Sequence, residues 1–292
     1  MSISVAAPAK INLALHVVGR RADGYHLIET LAVFTRFGDR LSVEAAETDL
    51  FEVTGPFAAA IPSDGSNLVI RARDFLRERF DLPPVRIVLE KNLPAASGIG
   101  GGSSDAAAAL KALAELCGLE LSERELRDLG LALGADLPMC LAARPLLARG
   151  IGDELTVLPD FPAVGLVLVN PGVAVSTAEV FSSLASRENE KLPPLPSRID
   201  FHSLRNWLEI TRNDLQAPAR ELAPEIGAAL AALDKANSGF SRMSGSGATC
   251  FGLFETGNVA KRAAAAIRAR HPDWFVAATR SIASQEVQHA GN

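Results

Sequence analysis

The stretch Leu93-Pro-Ala-Ala-Ser-Gly-Ile-Gly-Gly-Gly-Ser-Ser-Asp-Ala-Ala-Ala-Ala-Leu110 decides how this chain is read. Upstream of it, Val85-Arg-Ile-Val-Leu-Glu90 is a short strand-like run. After Pro94 the chain passes Gly98, Gly100, Gly101 and Gly102 and enters a run of alanine and leucine that predicts a helix. Glycines let backbone N–H groups crowd around an anion and adopt the positive φ angles such a loop needs. The helix start turns unpaired N–H groups and the positive end of its dipole to the same point. Strand, glycine loop and helix in this order point to a phosphate cradle. The bland alternative is a glycine-rich surface loop, and the abrupt helix start argues against it.

Two common phosphate loops are excluded. The dinucleotide fingerprint G-x-G-x-x-G fails, because Ser103 stands where the last glycine is needed after Gly98 and Gly100, and Asp105 where it is needed after Gly100 and Gly102. G-x-x-x-x-G-K-[ST] occurs nowhere in the chain.

At 292 residues, two domains are expected, with a boundary at Leu158-Pro-Asp-Phe-Pro162 that gives domains 1–160 and 161–292. Apolar residues are 48% and charged residues 22%, the balance of a soluble globular protein. No apolar run reaches the ~18 residues of a membrane span, and the N-terminus lacks a charged signal-peptide region, so a cytoplasmic protein without membrane partners is expected. Cys117, Cys140 and Cys250 form no C-x-x-C pair, and His16, His26, His202, His271 and His289 show no ligand spacing, so the metal ligands stay unassigned. A net charge of -5 argues against a nucleic-acid partner.

Ile11, Leu13, Leu15 and Val17 alternate with Asn12, Ala14 and His16 as in a strand, and further strands are expected near Leu27–Phe37, Arg40–Glu44 and Leu50–Val53. Ser66 or Asn67 caps a helix that ends before Pro83-Pro84. The helix after the glycine loop stops at Gly118, and Ser122-Glu-Arg-Glu125 opens another with a capping box. Gly134-Ala-Asp-Leu-Pro138 reads as a tight polar turn. Val164–Val169 predicts a strand, Ser176 starts a short helix, and 186–200 is a proline-rich loop or insert. A helix over Pro224–Asn237, a second glycine loop at Met243–Ala248, a strand at Thr249–Phe254, a helix over Gly257–Arg270, a strand at Trp274–Arg280 and a tail over 283–292 complete an α+β chain.

Three separated motifs, Pro8-Ala-Lys-Ile-Asn-Leu13, Pro94–Ser104 and Ser244-Gly-Ser-Gly247, resemble those of the GHMP kinases, the galactokinase–homoserine kinase–mevalonate kinase group. The resemblance runs from about Ala7 to Phe254. The longer strings Ala7–His26, Gly100–Asp105, Gly134–Pro138 and Arg149–Gly152 are similar to members of that family that phosphorylate a cytidine-diphosphate-linked methylerythritol. It implies a two-domain α+β fold with mixed and antiparallel sheets and an active site in the cleft between domains. It also implies ATP as co-substrate, Mg²⁺, and phosphorylation of the acceptor's 2-hydroxyl in the non-mevalonate isoprenoid pathway.

Carried onto matching positions, the resemblance makes Asp136 the general base and Lys10 the cation that orients the hydroxyl and stabilises charge near the phosphoryl group. From spacing alone the two read as a turn Asp and a surface Lys. Pro94, Ala95, Ala96, Ser97, Gly98, Ile99, Gly100, Gly101, Gly102, Ser103 and Ser104 would wrap the ATP phosphates. Ser103 or Ser104 would give a hydroxyl to phosphate or Mg²⁺, or cap the helix. Asn67 matches a position near the adenine and is equally a helix cap. Tyr25 and His26 would grip the cytosine, by stacking and by edge hydrogen bonds, and Asn12 would reach the acceptor from the strand of Lys10. Thr177 and Phe181 match a hydroxyl and a second stacking ring, although Phe181 also reads as a core residue. Gly245, Ser246 and Gly247 would close near the phosphates, or form a structural turn.

The chain departs from the family pattern at Ala96, where a glycine is usual, at Met139, where a Phe is usual, and at Ala248, where a Pro is usual. None removes a charge or the glycine triplet. The competing readings are a GHMP kinase for homoserine or a mevalonate-type acceptor, a catalytically silent nucleotide-binding relative, and a decarboxylase of the same superfamily. Retention of Asp23-Gly-Tyr-His26 argues against the first and of Lys10 with Asp136 against the second.

Overall fold

A computed structural model describes residues 2–284. They form two compact units that interleave along the chain. One comprises the residues up to Ala9 with Gly38–Ala95 and Gly100–Ala143; the other comprises Lys10–Phe37, Ala96–Ile99 and the chain from Arg144 onward. A linear cut at residue 160 therefore does not separate them. The cause is two long strands, β1 (Ser2–Arg20) and β2 (His26–Ala45), whose opposite ends belong to different units.

The expected break between Leu27–Phe37 and Arg40–Glu44 does not occur, and β2 runs straight through Gly38. A Cβ on Gly38 would lie 2.2 Å from the Ala7 carbonyl oxygen, so this glycine admits a neighbouring backbone rather than a turn.

In the first unit, β3 (Leu50–Thr54) runs parallel to β4 (Val85–Glu90), and the end of β2 pairs antiparallel with β4 from Arg40 opposite Glu90 to Ala45 opposite Val85. Val85, Ile87 and Leu89 are buried, while Arg86 reaches Glu44 at 3.2 Å and Glu52 at 3.0 Å on the flanking strands. The helix α1 (Leu68–Arg77) is capped by Asn67. Next come α2 (Gly101–Leu116) and α3 (Glu123–Leu133), the latter opened by the predicted Ser122–Glu125 capping box. On α3, Leu133 is buried and Leu126 and Leu129 are half-buried. The Gly134–Pro138 turn continues into a short helix, α4 (Leu137–Ala142), that the polar sequence did not announce. Proline in the first helical turn needs no N–H partner, which is why Pro138 starts a helix here instead of ending one.

In the second unit, β5 (Leu146–Arg149) pairs antiparallel with Thr30–Ala32 of β2 and with β6 (Glu154–Val157). A four-stranded antiparallel sheet is built from β7 (Gly165–Asn170), β8 (Phe240–Met243), β9 (Cys250–Phe254) and β10 (Phe275–Arg280), in the order β10-β7-β9-β8. Around it lie α5 (Thr177–Ser182), α6 (Phe201–Glu209), α7 (Gln216–Leu222), α8 (Glu225–Lys235) and α9 (Gly257–Arg270). Val167 and Val169 of the sheet pack in one buried cluster with Leu215, Ile226 and Ile267 from these helices and their flanks.

The proline-rich segment 186–200 is irregular, as expected, but it is tied down. Asn189 donates through both backbone and side chain to the Val17 carbonyl, and the Leu192 N–H donates to Glu29 at 2.9 Å. Within the expected tail, Ser284 is buried and bonds the Leu158 carbonyl and the Phe161 N–H, while residues 285–292 lie outside the described residues.

Candidate active site

In the second unit, β1, the first half of the glycine loop and the second glycine loop come together. The Lys10 N–H donates to the Ile99 carbonyl at 2.9 Å, and the Asn12 N–H donates to the Ser244 hydroxyl at 3.0 Å. That hydroxyl in turn donates to the Gly98 carbonyl at 3.1 Å, and the Thr249 N–H donates to the Ser97 carbonyl. The two loops meet backbone to backbone. Gly98 has φ +74°, and a Cβ there would sit 2.5 Å from the Ser244 carbonyl oxygen and 2.6 Å from Gly247. Gly245, at φ +54°, would meet the Gly98 carbonyl at 2.6 Å. Both glycines are required by conformation and by space. Ser246 exchanges a 2.7 Å hydrogen bond with Thr177 at the start of α5.

His26 and Phe181 stack with ring centroids 4.6 Å apart and 26° between planes. Phe181 also packs on the core cluster, so its two sequence readings coexist. The Nε2 atom of His26 is buried and has no hydrogen-bond partner among the described residues. Burial, followed by the charges of Arg20 and Arg187, holds the His26 ring below its ordinary pKa. Beside it, Tyr25 is 55% exposed, a large ring left facing outward.

In the first unit, α2 begins at Gly101 with Gly100 in the left-handed region (φ 65°) as its cap. Neither serine caps the helix, which corrects that expectation. The hydroxyl of Ser104 donates to the Pro8 carbonyl at 2.7 Å instead, and Ser103 is half-buried in the first turn. Asn67 serves as the cap of α1, where its Oδ1 accepts from the Val69 N–H at 2.8 Å and its Nδ2 donates to the Pro62 carbonyl at 2.7 Å. Pro94 and Ala95 lead into the loop from β4.

Sequence reasoning missed a charge cluster under this loop. Lys91 is buried between Asp39 and Asp105, with its ammonium 2.7 Å from Asp105. Asp39 also accepts from the backbone N–H groups of Asn92 and Leu93, at 2.5 Å and 2.8 Å, where the chain turns toward Pro94. A Cβ on Gly101 would lie 3.1 Å from the Lys91 ammonium, so the cation sits directly behind the first residue of α2. Burial pushes Asp105 up to about 8 against the pull of Lys91. Burial alone would lower Lys91, but Asp105 and Asp39 reverse that and leave it raised. The only sequence signal was Asp105 in the glycine motif; Lys91 and Asp39 look like ordinary surface charges near strand ends.

Lys10 is 4% exposed on β1, in the second unit. Asp136 is half-buried in the turn ahead of α4, in the first unit, and its side chain makes no helix-cap bond. Among the described residues, no group of three His, Cys, Asp or Glu side chains could hold a metal ion, and no helix is long and apolar enough to cross a membrane.

The family model described as "GHMP kinases N terminal domain" matches residues 67–144, and that described as "GHMP kinases C terminal" matches residues 196–273. The chain belongs to the GHMP kinases. Its GHMP kinase relatives include the 4-diphosphocytidyl-2-C-methyl-D-erythritol kinase of Mesorhizobium japonicum, 68% identical over 282 residues and covering 96% of each chain. Another, from Chelativorans sp., carries the same description and is 53% identical, covering 99% of this chain and 100% of its own. A solved structure described as 4-(cytidine 5'-diphospho)-2C-methyl-D-erythritol kinase matches with a TM-score of 0.79 at 36% identity, over 96% of this chain and all of that one. As a GHMP kinase, the chain is an α+β small-molecule kinase with ATP as co-substrate.

Proposed function

We propose that this kinase transfers the γ-phosphoryl group of ATP to the 2-hydroxyl of 4-diphosphocytidyl-2-C-methyl-D-erythritol, in the non-mevalonate route to isoprenoids. The observation that carries the acceptor reading is the stacked His26–Phe181 pair with its buried, unpartnered Nε2. A flat ring pair with one unused edge atom suits a planar heterocycle that offers a hydrogen bond. The curated relatives' descriptions support the same acceptor.

In this reading Asp136 takes the proton of the 2-hydroxyl as its oxygen bonds to the γ-phosphorus and the bond to the β–γ bridging oxygen breaks, releasing ADP. Lys10 orients that hydroxyl and offsets negative charge on the phosphoryl group. The backbone N–H groups of Pro94–Ser104 and the N-terminus of α2 cradle the phosphates, with Gly245, Ser246 and Gly247 closing near them. Mg²⁺, when bound, neutralises charge on the β- and γ-phosphates. Ser103 or Ser104 would give the ion one hydroxyl, beside phosphate oxygens and water. Asn67 would lie near the adenine; Tyr25, His26 and Phe181 would hold the cytosine; and Asn12 and Thr177 would contact the rest of the acceptor. A cytoplasmic location belongs to the same reading.

Purified protein incubated with ATP, Mg²⁺ and, separately, the cytidine acceptor, homoserine and mevalonate tests it. The expected outcome is ADP release and a phosphorylated product with the cytidine acceptor alone. Preference for an acceptor without cytidine overturns the reading.

A further inference from the structure

Asn12 is 2% exposed, and its amide has two different ends. The Nδ2 group donates to the hydroxyl of Thr30 at 2.9 Å, while Oδ1 is buried and accepts no hydrogen bond among the described residues. Thr30 is fully buried on β2, and its hydroxyl donates to the Ala14 carbonyl at 2.6 Å. A threonine hydroxyl has one proton. With that proton committed to Ala14, the Thr30 oxygen can only accept, so the Asn12 atom facing it must be the NH₂ group. The carbonyl end is thereby turned to the opposite side, where the position of a Cβ on Gly245 lies 3.3 Å from Oδ1. The Asn12 backbone is held in turn by Ser244.

We propose that Thr30 is a positioning residue that locks the Asn12 amide in one orientation, so that Oδ1 is presented as a fixed acceptor to a hydroxyl of the alcohol substrate. This rests on the acceptor-contact role given to Asn12 above. A buried acceptor left without a partner costs free energy in the absence of ligand, and a polyol hydroxyl both satisfies it and is oriented by it. Without Thr30 the NH₂ end loses its acceptor, and nothing opposes a flipped amide that turns an N–H instead of Oδ1 toward the substrate hydroxyl.

The test is a set of steady-state measurements on the whole protein with ATP and the cytidine acceptor. Thr30→Val removes the hydroxyl at nearly constant shape, and Thr30→Ser restores it. The expected result is a fall in kcat/KM for the acceptor of about 10- to 100-fold in Thr30→Val, with KM for ATP unchanged, and recovery to within about threefold in Thr30→Ser. In Asn12→Ala the further change Thr30→Val should have no added effect on kcat/KM, because Thr30 acts through Asn12. Wild-type kcat/KM in Thr30→Val, or additive losses in the double variant, overturns the proposal. If Thr30→Val does not fold, Thr30→Ser and Thr30→Cys decide: full activity in both overturns it, while activity in Ser and loss in Cys supports it. Should the wild-type chain phosphorylate a different alcohol, the acceptor reading falls, and the same variants assayed on that alcohol still decide the role of Thr30.

Discussion

His26 and Phe181, from opposite halves of the chain, lie face to face with 4.6 Å between ring centroids. Replacing Phe181 by Ala removes one face of the proposed base site and should raise KM for the cytidine acceptor about 10-fold, leaving KM for ATP unchanged. The same site sets a pH dependence. Burial and the nearby Arg20 and Arg187 lower the His26 pKa, so the ring is neutral at pH 7 and above and gains a proton only below its ordinary ~6.5 range. Acceptor KM should therefore be flat from about pH 7 to 8.5 and rise below about pH 6. A KM that improves on acidification would contradict the neutral-ring assignment.

Asp136→Asn should lower kcat by about 10²- to 10⁴-fold, since it removes the proposed proton acceptor without changing side-chain size. Lys10→Met should lower kcat to a similar degree. Both variants should still bind ATP, measured by calorimetry; unchanged turnover in either removes that residue from the mechanism.

Gly98→Ala should be far worse than Gly118→Ala. Both positions have positive φ, +74° and +63°, so both carry a backbone cost of about 1 kcal/mol or more. Only at Gly98 would the new Cβ also strike backbone atoms at 2.5–2.6 Å, whereas nothing lies within 4 Å of Gly118. Denaturant unfolding should show a loss of about 1 kcal/mol for Gly118→Ala and at least twice that for Gly98→Ala. Equal losses would mean that the two glycine loops are not in contact.

Lys91→Met should destabilise the protein by about 3–5 kcal/mol, because it leaves the buried Asp39 carboxylate without its cation. Asp105→Asn keeps the shape and leaves one cation opposite one carboxylate, so it should cost less than about 1 kcal/mol. Thermal denaturation of the two variants distinguishes them, and the opposite ranking would mean that Asp105 is the charge the site depends on.

The elements legible in the sequence are those whose determinants are local. Val85–Glu90 is a strand in sequence and in structure because its signal, a short run rich in β-branched Val and Ile, is complete within six residues. The Ser122–Glu125 box caps α3 and Gly257–Arg270 forms α9 as read, since cap and helix face are set within a few turns. The errors fall where the partner is distant. The expected strands Leu27–Phe37 and Arg40–Glu44 are one because the Ala7 backbone, distant in sequence, lies against Gly38, and Ser103 and Ser104 resembled caps until Gly100 took the left-handed position. The helix at Leu137–Ala142 was hidden because Gly134–Pro138 is composed like a turn.

By itself the sequence determined the family and the inventory of chemical groups: two glycine loops, Lys10, Asp136 and the Tyr25-His26 pair, because motifs of this kind are contiguous residues whose backbone and side-chain chemistry travel together. Only the tertiary structure decided which of those groups are oriented and by what. The stacking of Phe181 on His26, the burial of Lys91 behind Gly101 and the locking of Asn12 by Thr30 all join residues from separate elements. Directional hydrogen bonds and buried charges depend on where the chain returns in space, and no local pattern encodes that return.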